Sequence, residues 1–140
     1  MRRTLIVSKL PFAELRRELE GSFAEARMAD RGAGTRVYFI QESGMGAIKI
    51  GISKHAQVRR RELQDSIPYD LTLLGTVEGG RAVEAVTHSL FAHAHLRGEW
   101  FRPVEELLEH IAKECEAPEV TRKRELEELF EIRRNMRIIA

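Results

Sequence analysis

Two short apolar segments, residues 36–41 and 47–53, are rich in valine, isoleucine, tyrosine and phenylalanine and flank the turn-like run Glu42-Ser43-Gly44-Met45-Gly46. Segments of that composition around a glycine-bearing turn specify a β-hairpin. Its register decides what each face presents, because a slip of one residue sends every side chain to the opposite side. With Tyr38 set opposite Lys49, phenol and ammonium leave one face together. Such a pair suits phosphate chemistry, and it equally suits a core tyrosine beside a surface lysine. The rest of the chain has to decide between them.

With 140 residues, 43% of them apolar, the chain has the material for one domain with a real core. Its 23 basic and 22 acidic side chains leave a net charge of +1. A nucleic-acid partner would therefore need a local basic patch, since the overall charge attracts nothing. The single cysteine, Cys115, excludes an intrachain disulfide and is compatible with a reducing compartment. No apolar run approaches the roughly 20 residues that span a bilayer, and the apolar stretch after Met1-Arg2-Arg3 is too short for a secretory signal. The expectation is a cytoplasmic protein that does not enter membranes.

Along the chain, residues 5–7 suit an extended segment and Pro11 suits the start of a helix. Phe12, Leu15, Leu19 and Phe23 then form one apolar stripe, to be packed on the main domain or on a second copy. Residues 30–34 read as a linker. After the hairpin come a helix over 56–65, a third strand over 71–77 and, past Gly79-Gly80, a helix over 81–94 with Val83, Val86 and Leu90 inward. A further helix follows Pro103, with Leu107, Leu108 and Ile111 inward. A last one over 120–138 carries Leu126, Leu129, Phe130 and Met136 on one side. The fold class is α+β, a small three-stranded antiparallel sheet flanked by helices, with helical extensions at both ends. The division is 1–34 for the N-terminal helical extension and linker, 35–115 for the central domain and 116–140 for the C-terminal helix.

Glu84 and His88 lie four apart on one helix and project from the same face, which Arg81 shares. Facing a sheet that presents Tyr38 and Lys49, Glu84 suits a hard divalent cation completed by water; alone, it and His88 are also an ordinary surface pair. Of Arg59, Arg60 and Arg61, a helix turning 100° per residue lets only one or two face the sheet. An inward guanidinium suits two-pronged phosphate binding, and outward ones suit a nucleic-acid backbone. His88, His93 and His95 with Cys115 lack the paired spacing of a zinc site. Trp100 and Phe101 suit a core cap, with base stacking by Trp100 as the alternative.

Taken in order, Val37-Tyr38-Phe39-Ile40, Lys49-Ile50-Gly51, Arg59 with Leu63-Gln64, Leu73-Leu74-Gly75, Glu84 with His88 and Phe91, and Gly98-Glu99-Trp100-Phe101 resemble the GIY-YIG nuclease superfamily. The resemblance is to its phage-type branch, which includes a fungal meiotically up-regulated protein, and it runs over residues 36–103. The first signature keeps only its tyrosine, the second has lysine where many members have tyrosine, and the single asparagine, Asn135, lies outside the matched stretch.

The resemblance implies a GIY-YIG-like endonuclease domain that hydrolyses DNA phosphodiesters with a single Mg²⁺ or Mn²⁺ held by Glu84. Tyr38 would be general base or water positioner, Lys49 the cation that makes it acidic, Arg59 the phosphate clamp, and His88 the orienter of Tyr38 or the proton donor to the leaving oxygen. Arg60, Arg61, Lys54 and Trp100 are the expected contacts to DNA. The competing expectation is a catalytically silent module on the same fold that binds nucleic acid or protein. Dimerisation through the terminal helices is compatible with either.

Overall fold

The computed structural model describes residues 11–139. In chain order it holds α1 (Phe12–Ala29), β1 (Arg36–Glu42), β2 (Ile48–Ser53), α2 (Ala56–Gln64), β3 (Leu71–Glu78), α3 (Arg81–Leu90), a 3₁₀ turn (Ala92–Ala94), β4 (His95–Arg97), β5 (Trp100–Phe101), α4 (Glu105–Glu114) and α5 (Pro118–Ile139). The class is α+β, but the sheet has five antiparallel strands in the order β3-β1-β2-β5-β4 where three were expected. The two additional strands have three and two residues, too few for a period-two pattern to register in sequence. The expected extended segment at 5–7 lies outside the described residues.

Central position explains β1. Val37, Tyr38, Phe39 and Ile40 are each at most 2% exposed, so this strand is covered on both faces and reads as an unbroken apolar run. On one face Val37, Phe39, Ile48, Ile50 and Phe101 pack with Leu15, Val83, Leu90, Leu107 and Ile111 from α1, α3 and α4. On the other, Tyr38, Ile40, Leu71 and Leu73 pack with Ala56, Leu63 and Trp100 under α2. In α4 it is His110, not Leu108, that turns inward: Leu108 is 42% exposed, while His110 sits among the rings of Phe23, Phe39 and Phe91.

The terminal helices behave differently from each other. The α1 stripe of Phe12, Leu15, Leu19 and Phe23 packs into the chain's own core, with Phe12 stacked on Phe91 at 5.6 Å between ring centroids. It is therefore not free for a second copy. The start of α5 is anchored to the sheet. Glu116 pairs with Arg36 at 3.0 Å and with Arg124, and Thr76 exchanges backbone hydrogen bonds with Glu116. Gly75 makes room for this strap, since a Cβ there would lie 2.6 Å from the Cβ of Cys115. Farther along, Leu126, Leu129, Phe130 and Met136 are 41–65% exposed.

Candidate functional site

The site grows from the hairpin register. Tyr38 pairs with Gly51 and Lys49 with Ile40, so Tyr38 and Lys49 share a face but sit diagonally, one pair removed from the directly opposed register expected. Gly51 is a steric requirement of that arrangement. A Cβ on it would lie 2.4 Å from the Tyr38 hydroxyl oxygen and 2.6 Å from Cζ, so the tyrosine ring can lie across the strand only over a glycine.

One wall of the site forms where β5 leaves β2. The pairing covers only Ile48 with Phe101 and Lys49 with Trp100, after which Ile50 donates its N–H to the Glu99 carbonyl at 2.9 Å. The Ile50 carbonyl is taken by His88 Nε2 at 3.0 Å, not by a backbone amide. A carbonyl only accepts, so Nε2 carries the proton and Nδ1 keeps its lone pair. The imidazole also stands edge-on to Phe101, centroids 4.9 Å apart.

Helix α3 delivers Glu84 one turn before His88, and the β4–β5 turn at Gly98, with φ +54°, delivers Glu99. One ligand atom from each of Glu84, His88 and Glu99 lies within 4.8 Å of the others, which is the spacing of a metal-binding cluster. Burial and the adjacent Glu99 carboxylate push Glu84 up to about 7, despite Lys49 and Arg81 nearby. Glu84 Oε2 is buried without a partner among the described residues. For Glu99, burial acts against the charge, but Lys49 Nζ at 2.9 Å holds its carboxyl below the usual range. Two carboxylates, one of them with an unpartnered oxygen, and an imidazole nitrogen form a donor set that fits a hard divalent cation.

Lys49 is therefore directed at Glu99, and it also lies 5.6 Å from the Trp100 ring centroid. The cation acting on Tyr38 is Arg59, from α2. Burial nevertheless prevails and raises the phenol above its ordinary value, so Tyr38 is protonated at neutral pH. Where Lys49 was expected beside the phenol, the structure places Arg59 there and engages Lys49 with Glu99.

The remaining expected contacts lie elsewhere. Arg60 donates to Gln57 Oε1 at 3.1 Å, and with Arg61 it lines a groove of about 530 Å³ between α2, β3 and α5. Lys54 borders a different cleft with Asp30, Glu78 and Glu128. Trp100 borders the site, following Glu99 in the chain, pairing with Lys49 across β2 and β5 and packing on the Tyr38 cluster. The imidazoles of His93 and His95 are bonded to Glu106 and to the Gly98 carbonyl, and burial pushes the Cys115 thiol up to about 12, so these groups assemble no zinc site. Glu99 is the residue the sequence reading passed over. Its signal was the glycine beside it in Gly98-Glu99-Trp100-Phe101, since a left-handed turn aims the next side chain.

Residues 35–117, more than half of the chain, match the model of the T5orf172 domain. The chain belongs to the T5orf172 domain family. A T5orf172 domain is a phage-type, nuclease-associated domain of the GIY-YIG-like and HNH-like group, associated with endonuclease-like proteins. Every residue of the site just described falls inside the T5orf172 match. Neither the curated proteins nor the solved structures yield a match. No helix among the described residues is long and apolar enough to cross a membrane.

Proposed function

We propose that this T5orf172 chain is a metal-dependent endonuclease that hydrolyses phosphodiester bonds in DNA, using a single Mg²⁺ or Mn²⁺ at Glu84, His88 and Glu99. The observation that carries this reading is Glu84: a carboxylate pushed up to about 7, with a buried unpartnered oxygen, beside a second carboxylate and an imidazole. A binding module has no use for that concentration of negative charge, which repels a phosphate backbone.

When bound, the divalent ion supplies positive charge at the scissile phosphate and acidity to a coordinated water. The chain's own residues do the rest. Arg59 offers a planar guanidinium to the phosphate oxygens, and the protonated Tyr38 donates its hydroxyl to the attacking water or to the phosphate. This makes Tyr38 a positioning group. Lys49 keeps Glu99 ionised. His88 is fixed through Nε2, which leaves Nδ1 to ligate or to accept a proton. The work is electrostatic, as phosphoryl chemistry requires.

The test is a cleavage assay on plasmid, branched and single-stranded DNA with Mg²⁺ or Mn²⁺. Wild type should cut at least one of them, and Glu84→Ala should abolish cutting while the circular dichroism spectrum stays unchanged. Absence of metal-dependent activity above that variant on every DNA and RNA form would instead establish the silent binding module. For a second copy, the exposed apolar residues of α5 are the free surface; sedimentation velocity decides whether they pair.

A further inference from the structure

Helices α2 and α3 hold Arg59 and Glu84 at the same relative place. Arg59 N–H donates to the carbonyl of the N-cap residue His55, and Glu84 N–H to that of the N-cap residue Gly80, each at 2.9 Å. Both are thus the first residue of their helix whose amide is satisfied inside it. The amides ahead of them need acceptors from outside, and neither N-cap supplies a side chain.

Those acceptors come from the flanking helices. Asp30, at the end of α1, accepts the N–H groups of Gly80 at 2.6 Å, Val83 at 2.8 Å and Ala82 at 3.2 Å. Glu125, on α5 and 7% exposed, accepts the N–H of Gln57 on both oxygens at 3.2 Å. Gly80 leaves little space for a local substitute, since a Cβ there would stand 3.0 Å from Thr35 Oγ1 and 3.3 Å from Asp30 Cγ. A carboxylate at a helix N-terminus satisfies the free amides and also sits in the favourable field of the helix dipole. Both carboxylates lie outside residues 35–117.

We propose that Asp30 and Glu125 are positioning residues that cap the two site helices from outside the T5orf172 match, Asp30 setting the metal-ligand helix and Glu125 setting Arg59. This rests on the reading of the site as a metal-dependent nuclease. Each flanking helix thereby controls a different part of one reaction. The first turn that carries Glu84 is held by a side chain from α1, and the first turn that carries Arg59 by one from α5.

The two assignments predict crossed effects in the full chain. Asp30→Ala should weaken Mn²⁺ binding, read by titration calorimetry, about fivefold to tenfold, whereas Glu125→Ala should leave Mn²⁺ affinity unchanged and lower kcat on the cleaved DNA by a similar factor. Asp30→Asn and Glu125→Gln, which keep an acceptor oxygen, should recover part of each loss. Unchanged affinity and kcat in folded alanine variants would overturn the proposal, as would both falling together in proportion to the fraction folded.

Wild type that neither binds Mn²⁺ nor cuts would refute the nuclease reading. Amide exchange then decides the positioning. Asp30→Ala must deprotect Ala82 and Val83 and spare Gln57, and Glu125→Ala must do the reverse. Equal deprotection at both helices overturns it.

Discussion

Glu84 is held at an energetic cost to the fold. Its folded pKa of about 7 stands above the ordinary 4.5, because burial and Glu99 disfavour its charge. The folded state binds that proton more tightly than the unfolded chain, so the contribution of Glu84 to stability is fully present below pH 4.5 and is lost as pH rises through about 7. Glu84→Gln, neutral at every pH, should melt about 3 °C higher than wild type at pH 8, with no advantage at pH 4. That corresponds to roughly 1 kcal/mol, discounted because the carboxylate is partly exposed. Lys49 lowers both carboxyls. Lys49→Met should therefore move the acid limb of the cleavage pH profile to higher pH and reduce cutting far more than DNA affinity, as read by a pH–rate series and a binding titration. Sequence placed Tyr38, Lys49, Arg59, Glu84 and His88 near one another. It did not reveal that Lys49 serves Glu99, because that pair depends on a turn two strands away.

At the level of elements, the hairpin and α2 were readable because pattern and composition agree there, whereas β4 and β5 were hidden by their length. The expected helix over 81–94 ends at Leu90 and tightens into a 3₁₀ turn, which brings Phe91 and Ala94 into the core. Within the hairpin, Gly51 and Tyr38 form one unit. Gly51→Ala forces the buried ring off its strand, and we expect a loss of about 1–3 kcal/mol in urea unfolding together with a fall in kcat. A milder effect on both would show that the ring has another place to go. Leu108 and His110 lie about 200° apart on the helix, and Leu107, His110 and Ile111 form the regular i, i+3, i+4 stripe. Residue hydrophobicity alone favoured Leu108, and the histidine turns inward because it meets the rings of Phe23, Phe39 and Phe91.

Across the whole molecule, α1 and α5 supply what the sheet lacks; the apolar stripe of α1 was legible in sequence, whereas the caps from Asp30 and Glu125 were not, because each is a single carboxylate meeting backbone amides. His110 shows how deep the α1 contact goes. Burial, with Arg16 adding to it, pushes its pKa down to about 4 from 6.5, and Nδ1 has no partner among the described residues. The folded state therefore favours the neutral ring, giving stability that is complete above pH 6.5 and lost as pH falls toward 4. In melting curves between pH 4 and 7, His110→Leu should flatten this acid decline even where it costs packing at neutral pH.

The Ile50 carbonyl has a wider meaning. A strand margin left bare is an invitation to foreign chains, which can extend a sheet by hydrogen bonding to it. Here the place beyond the short β5 is occupied by an imidazole from the same chain. His88 thus stands guard over the sheet's own boundary, which is closed there to an intruding strand.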